Sequence, residues 1–498
     1  MHSRAIATST LWQFSSQAVT MILGILSIKF VTTALSQSLV GNYQTVYSYL
    51  QIFGILADFG LYAVAVRDLS RAADFRRTFG TLFVLRAIIT FLSLGLALLF
   101  GFSLPMFSGT PLPYGIAIAI FVPFFTLLSG MLRTLFQVTY SMHSVFLSEV
   151  CSKIIPVCLI GLTVFFGVRN SDSISIYYLF LAFGGIGSLT LFLSSIWFAI
   201  PLLRKHKVND RSLPSVCPWF SIDELFRLMR LSAPFGFAFL ATTLYRQSDV
   251  TLIALLRPDD YDLQNAYYGT VLRLTEIGFL LPTFILNSAL PAFNHASEEM
   301  KQMMPIFLGK ILLSLLVLGS GISLFSYFWA RPIILLVAQS AYLSTPLSFG
   351  SDTALMLMSF SMFLGMIITF CFYLLLHLER SLPLLVFTSL AAVISVTLNL
   401  YLIPLFGFIG AAMTSIFTHL FLATILLIVS LRFIRVSIPF IRLCQWFAFS
   451  LALGLSLFFT RTIVHSAFLT MSLGAFILSG ACILLYLLQL IPRSILSR

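Results

Sequence analysis

Three pairs of opposite charge stand inside stretches of sequence that are otherwise apolar. Arg246 and Asp249 are three residues apart, as are Arg273 and Glu276, while Glu149 and Lys153 are four apart. Each pair therefore shares one face of a helix. Asp58 has no cation within a turn of itself, so its partner stands on another helix, is water, or is a proton. An uncompensated arginine at mid-bilayer costs at least about 2.5–3.5 kcal/mol, and Arg246 and Arg273 are too deep in their apolar runs to reach an interface comfortably. Each pair reads in two ways, as mutual neutralisation within helix packing or as the charged lining of a water-filled cavity between two lobes.

Taken as a cavity lining, the cations Arg246, Arg273, Arg133 and Lys310 would hold an anion. The carboxylates of Asp58, Asp249 and Glu276 would pair with them or couple to an ion gradient. Two polar stripes belong to the same reading. Gln44, Ser48, Gln51 and Asp58 follow helical spacing, and so do Ser9, Gln13, Ser16, Thr20, Gly24 and Ser27. Close packing through small residues explains part of the second stripe, but Gln13 is larger than such packing prefers. Arg86, Lys153 and Lys310 stand roughly 7–11 Å inside their runs at 1.5 Å per residue, where snorkelling competes with a buried role.

Bond-making chemistry finds no such support. The seven histidines show no HExxH or related pair, and there is no Walker A sequence. The only dense acidic group, Asp259, Asp260 and Asp262, lies in a seven-residue connection and reads as a solvated turn. The six cysteines lack metal-ligand spacing, and five lie in apolar runs as small packing residues. No cofactor or metal is expected, and no enzymatic activity.

The elements that must carry these residues are membrane helices. Of 498 residues only 9% are charged and 59% are hydrophobic, with a mean hydropathy of +1.01. A soluble domain has roughly 25% charged residues. The deficit excludes a soluble protein, a disordered one and a nucleic-acid binder, despite a net charge of +12. Apolar runs long enough to cross a bilayer fall at 9–33, 40–66, 79–103, 114–138, 146–168, 174–203, 226–256, 264–291, 305–328, 352–377, 382–404, 407–431, 440–463 and 467–490. These are fourteen expected spans, with 329–351 a candidate re-entrant or amphipathic segment. An even number puts both termini on one side. Fifteen lysines and arginines fall in loops on that side and four, Arg169, Arg257, Arg331 and Arg461, on the other. The positive-inside rule makes the termini cytoplasmic, in a multi-pass protein of the cytoplasmic (inner) membrane. Residues 1–9 precede an apolar run without a small-residue cleavage site, so the first span is expected to be retained.

An internal repeat organises the spans. An offset of 225 aligns Tyr43, Thr45, Val46, Ile52 and Leu56 of span 2 with Tyr268, Thr270, Val271, Ile277 and Leu281 of span 8. Gln51 then aligns with Glu276. Chance likeness between apolar helices competes with this reading, but the aligned polar positions favour two lobes in parallel topology. The expected organisation is an N-lobe at 1–203 (spans 1–6), a basic linker at 204–225, a C-lobe at 226–431 (spans 7–12), and spans 13–14 with the C-terminus at 432–498.

Several of these segments resemble a known family. Leu39-Val40-Gly41-Asn42-Tyr43, Leu56-Ala57-Asp58-Phe59-Gly60-Leu61 and Arg67-Asp68-Leu69-Ser70 resemble the second-helix pattern of Wzx-type polysaccharide (O-antigen) flippases. Asn399-Leu400-Tyr401-Leu402-Ile403-Pro404, followed by Gly407, Gly410, Ala411 and Ala412, is similar to their span 11 to 12 junction. Asp249 with Tyr267, Tyr268, Pro282 and Pro291 resembles their span 7 to 8 region. The resemblance implies the multidrug/oligosaccharidyl-lipid/polysaccharide superfamily, with two six-helix bundles and alternating access. Its implied cargo is an oligosaccharide linked by diphosphate to a polyprenol, moved for O-antigen, capsule or exopolysaccharide synthesis. The implied partners are that lipid-linked substrate, membrane lipids, a polysaccharide polymerase and glycosyltransferases. The resemblance also carries an intramembrane acidic role to Asp58 and a cavity role to Asp249. Within the same superfamily a lipid II flippase and a drug antiporter are the alternatives; outside it, an integral membrane glycosyltransferase or polymerase.

Overall fold

The structure, a computed structural model, describes residues 2–58, 60–61, 65, 75–139, 141–205, 222–294, 298–378 and 380–461. Expected span 14, residues 206–221 of the basic linker and the Arg67–Ser70 motif lie outside the described residues. Within them the regular structure is helical, apart from two isolated backbone bridges, Leu35 with Ser171 and Thr345 with Ser348.

The first helices are α1 (His2–Ala34), α2 (Gln37–Asp58), α3 (Phe75–Ser103), α4 (Leu112–Ala119), α5 (Phe121–Val138), α6 (Met142–Phe165) and α7 (Ile174–Lys205). They are followed by α8 (Ile222–Gln247), α9 (Asp249–Leu256), α10 (Tyr261–Asn294), α11 (Glu298–Phe328) and α12 (Ala330–Val337). The series ends with α13 (Ser351–His377), α14 (Ser381–Phe406), α15 (Phe408–Phe433) and α16 (Phe440–Arg461). Among the described residues, ten spans are long and apolar enough to cross a membrane: α1, α3, α4 joined to α5, α6, α7, α11, α13, α14, α15 and α16. They coincide with expected spans 1, 3–6 and 9–13. Expected spans 2, 7 and 8 coincide with α2, with α8 and α9 together, and with α10, which are outside the ten. The protein is thus all-α and multi-pass, with ten helices among the described residues that are long and apolar enough to cross a membrane. Helix α2 is 22 residues long, about 33 Å at 1.5 Å per residue. Its deficit is in apolarity, because Asn42, Gln44, Thr45, Ser48 and Gln51 interrupt it.

The chain forms two compact units, Met1–Ala266 and Tyr267–Arg498, whose boundary falls within α10. Hydrocarbon solvates leucine as well as protein does, so helices within a membrane associate through close packing and hydrogen bonds. The first unit shows both. Helices α2 and α3 form an antiparallel hairpin in which the Tyr49 hydroxyl donates to the Ala97 carbonyl at 2.8 Å and Ser93 Oγ donates to the Phe53 carbonyl at 2.7 Å. Phe79, Leu82 and Leu85 of α3 pack with Met131, Leu132, Leu135 and Phe136 of α5, and with Met142 and Val145 of α6. At the other ends of these helices, Asn170 and Ser171 donate backbone hydrogen bonds to the Thr33 and Ala34 carbonyls at 3.0 and 2.8 Å. That latch fixes the end of α1 against the α6–α7 connection. Gly41 explains one resemblance motif, since a Cβ there would sit 1.6 Å from the Asp262 carbonyl oxygen. Next to it, the Tyr261 hydroxyl donates to Asn42 Oδ1 at 2.7 Å.

In the second unit, α16 lies along α11. Trp446 Nε1 and Ser450 Oγ both reach Ser320 Oγ, at 3.2 and 3.1 Å, and Trp329 Nε1 donates to the Leu457 carbonyl at 3.2 Å. Gly407 joins α14 to α15 with φ +58, a conformation that glycine adopts without the Cβ penalty. Gly410 lets the same two helices meet, because a Cβ would lie 2.2 Å from the Leu402 carbonyl oxygen. Both belong to the second resemblance motif. The 329–351 segment is the short helix α12, a turn at Ser340–Tyr342 and a bridge at Thr345–Ser348. In α12 Ala330, Ile334 and Val337 are buried while Arg331 and Leu335 are exposed, which is an amphipathic pattern.

Candidate functional site

The α2–α3 hairpin supplies the partner that Asp58 lacks on its own helix. Asp58 and Arg86 stand fourteen residues on either side of Ala72, so antiparallel pairing brings them level. Arg86 Nη1 lies 2.5 Å from Asp58 Oδ1. The guanidinium also donates through Nε to the Leu127 carbonyl of α5 at 2.8 Å. Gly130 leaves room for it, since a Cβ there would come within 3.3 Å of Arg86 Nη2. Arg86 is 3% exposed. It does not snorkel; it ties three helices through one charge.

The α5–α6 hairpin repeats the geometry. Arg133 and Glu149 stand eight residues on either side of Ser141, and Arg133 Nη1 lies 2.9 Å from Glu149 Oε1. The other carboxylate oxygen, Oε2, accepts a hydrogen bond from Ser16 Oγ of α1. Glu149, whose expected pairing along its own helix is with Lys153, also reaches across to two other helices. Unlike Arg86, the Arg133 side chain is 40% exposed, and that of Glu149 20%. Lys153 is exposed.

Other expected residues of the first unit are spread along α1, α2, α8 and α9. Ser16 is buried, and Thr20 donates to the Ser16 carbonyl at 2.8 Å. The side chain of Gln13 lies outside the described residues. Gln44 and Ser48 are buried and Gln51 is half-buried. Next to Gln44, Thr45 Oγ1 accepts from Asn265 Nδ2 at 2.8 Å. Arg246, half-buried, closes α8, and Asp249, fully buried, opens α9 after a one-residue break at Ser248. A carboxylate in the first turn faces the positive end of the helix dipole.

In the second unit, the expected pair Arg273 and Glu276 is present on α10, with Arg273 Nη1 3.5 Å from Glu276 Oε1 and the two side chains 28% and 31% exposed. Lys310 is exposed on α11. Asp352, which sequence reasoning passed over, is buried in the first turn of α13. It accepts from the backbone N–H and the hydroxyl of Ser344 at 2.7 and 2.6 Å, with Arg331 at 4.0 Å. Its role is to anchor the 338–350 connection. Among the described residues no group of three or more His, Cys, Asp or Glu side chains is placed to hold a metal ion.

The intramembrane charges therefore divide by exposure. Arg86 with Asp58 is a structural pair with an enclosed guanidinium and a carboxylate a quarter exposed. Arg133 with Glu149 and Arg273 with Glu276 are part-exposed pairs, each with a guanidinium group of the kind that binds carboxylate or phosphate.

Comparisons with known proteins agree with this architecture. Residues 6–297 match the family described as polysaccharide biosynthesis protein. Among solved structures, the chain is similar to the lipid II flippase MurJ in an inward closed conformation. The TM-score is 0.71 at 13% identity, over 96% of this chain and 98% of that one. It is also similar to a multidrug resistance MATE family transporter of the MOP superfamily in two conformations. The inward-facing form gives a TM-score of 0.56 at 11% identity over 84% of this chain and 97% of that one. The outward-facing form gives 0.57 at 13% identity over 86% and 94%. No curated protein matches the chain. At these identities the structural likeness is one of fold.

Proposed function

The chain belongs to the polysaccharide biosynthesis protein family, within the multidrug/oligosaccharidyl-lipid/polysaccharide superfamily of membrane transporters, and from that premise we propose that it moves a polyprenyl-diphosphate-linked glycan across the cytoplasmic membrane by alternating access. The family match over 6–297 carries the reading. The part-exposed guanidinium groups of Arg133 and Arg273 support it, because a diphosphate leaving water needs cations where the dielectric is low. The cargo's polyprenyl tail stays in lipid while its head group crosses. In this reading Arg246, Arg273, Arg133 and Lys310 contact phosphate, and Asp58, Asp249 and Glu276 balance them or couple transport to an ion gradient. The lobes are those of the repeat, 1–203 and 226–431, with both termini cytoplasmic.

Among lipid-linked glycans, lipid II is the first cargo to test. It is the named substrate of the flippase whose fold the chain matches over 96% of its length, whereas the MATE matches extend over 84–86%. An O-antigen, capsule or exopolysaccharide unit comes second. A drug or organic cation fits less well, since it would seek an acidic site. Two strains separate these cargos, one lacking its surface-glycan flippase and one depleted of its lipid II flippase, each expressing the protein to a verified level. Rescue of growth on depletion selects lipid II, and rescue of surface glycan alone selects a polysaccharide unit. Failure of both, with resistance to cationic drugs gained, would overturn the proposal.

A further inference from the structure

The Arg133–Glu149–Ser16 cluster has a property that the Asp58–Arg86 pair lacks: its guanidinium side chain is 40% exposed, against 4% for Arg86. Three helices meet there, α5, α6 and α1, each contributing one side chain. Arg133 stands five residues before the end of α5 at Val138, about 8 Å along the helix at 1.5 Å per residue. Glu149 stands seven residues after the start of α6 at Met142. The cluster therefore sits one to two turns from the α5–α6 connection, within reach of the membrane surface on that side.

Glu149 divides its two oxygens, Oε1 to the guanidinium and Oε2 to the Ser16 hydroxyl. A carboxylate on one guanidinium nitrogen occupies the place that a phosphate oxygen would take. A diphosphate brings more charge and more acceptor oxygens, in a geometry that suits the guanidinium fork. With 40% of the Arg133 side chain exposed, an incoming head group can approach it. Glu149, a fifth exposed and tethered by Ser16, can be released into water without being stranded in the packed interior.

We propose that Glu149 is a built-in counter-anion for Arg133, displaced when the diphosphate head group of the cargo binds. The carboxylate holds Arg133 neutralised while the site is empty and returns to drive the head group off. It sets affinity and release without touching the glycan. This rests on the lipid-diphosphate reading above.

The test measures binding of undecaprenyl diphosphate, with undecaprenol as the uncharged control, to the full chain in nanodiscs. Removing the competing charge in Glu149→Gln should tighten binding of undecaprenyl diphosphate about fivefold, equivalent to roughly 1 kcal/mol for a part-exposed ion pair, and slow its dissociation. Arg133→Gln should weaken binding at least about tenfold, near the cost of losing one charge-assisted contact. The double variant should bind like Arg133→Gln, because the carboxylate matters only through the guanidinium. Glu149→Asp, which keeps the charge but shortens its reach, should fall between wild type and Glu149→Gln and guards against a folding artefact. Glu149→Gln binding no tighter than wild type, with Arg133→Gln weakened, would overturn the inference and leave the cargo reading intact. Wild type that does not distinguish undecaprenyl diphosphate from undecaprenol would overturn the cargo reading, and this inference with it.

Discussion

Replacing Asp58 by Asn should destabilise the protein more than replacing Arg86 by Met, although both changes break the same ion pair. The reason is the unequal burial of the two ends, 4% side-chain exposure for Arg86 against 24% for Asp58. In Asp58→Asn the guanidinium stays charged and enclosed, with the Leu127 carbonyl as its remaining strong acceptor. Leaving one member of a buried pair unmatched costs about 3–5 kcal/mol, and the lower end applies because asparagine still accepts a hydrogen bond. In Arg86→Met the methionine keeps much of the aliphatic stem packing. Asp58, at the last position of α2 and a quarter exposed, can hydrate, so the cost falls to about 1–2 kcal/mol. The double variant has no unmatched charge and should lie within about 2 kcal/mol of wild type, giving a coupling of at least about 2 kcal/mol. Denaturation by SDS in mixed micelles, followed by intrinsic fluorescence, reads all three differences. Equal losses in the two single variants, or a double variant as unstable as their sum, would refute the reasoning from burial.

Charge reversal at Arg246 or Arg273, assayed by rescue of glycan export at matched expression, should abolish export; full activity in both variants would remove them from the site. Gly41→Ala places a Cβ 1.6 Å from the Asp262 carbonyl oxygen and should cost at least about 1–3 kcal/mol, whereas Gly95→Ala, with nothing within 4 Å, should be neutral or slightly stabilising in thermal melts. In a variant stripped of native cysteines, a membrane-impermeant maleimide added to intact cells should label Ser173→Cys between α6 and α7, and spare Ser141→Cys between α5 and α6. The reverse pattern would invert the topology assigned from lysine and arginine counts.

Helix faces were legible in the sequence because a helix has one period. The spacing of Arg273 and Glu276 reads directly as a contact, and the apolar runs read directly as the ten described helices long and apolar enough to cross a membrane. Contacts between helices needed a second rule, antiparallel register. Arg133 and Glu149 are symmetric about Ser141, and Asp58 and Arg86 about Ala72, but that symmetry matters only once the turn positions are known. For that reason helical spacing alone pairs Glu149 with Lys153 on the same helix, and leaves Arg86 between snorkelling and a buried role. Asp352 was missed for a different reason: its acceptors are used by Ser344 in a connection without periodic pattern. The glycine motifs are recognisable in the sequence, but their cause is tertiary: Gly41 and Gly410 each face a carbonyl oxygen.

Reconstitution of the full chain into liposomes, with fluorescent lipid II or a labelled polyprenyl-diphosphate oligosaccharide in the bilayer, bears most directly on transport of an anionic lipid-linked glycan. Protein-dependent appearance of the labelled head group in the opposite leaflet, lost in Arg273→Glu, is the expected result. No translocation of either lipid, beside uptake of an organic cation by the same vesicles, would contradict it.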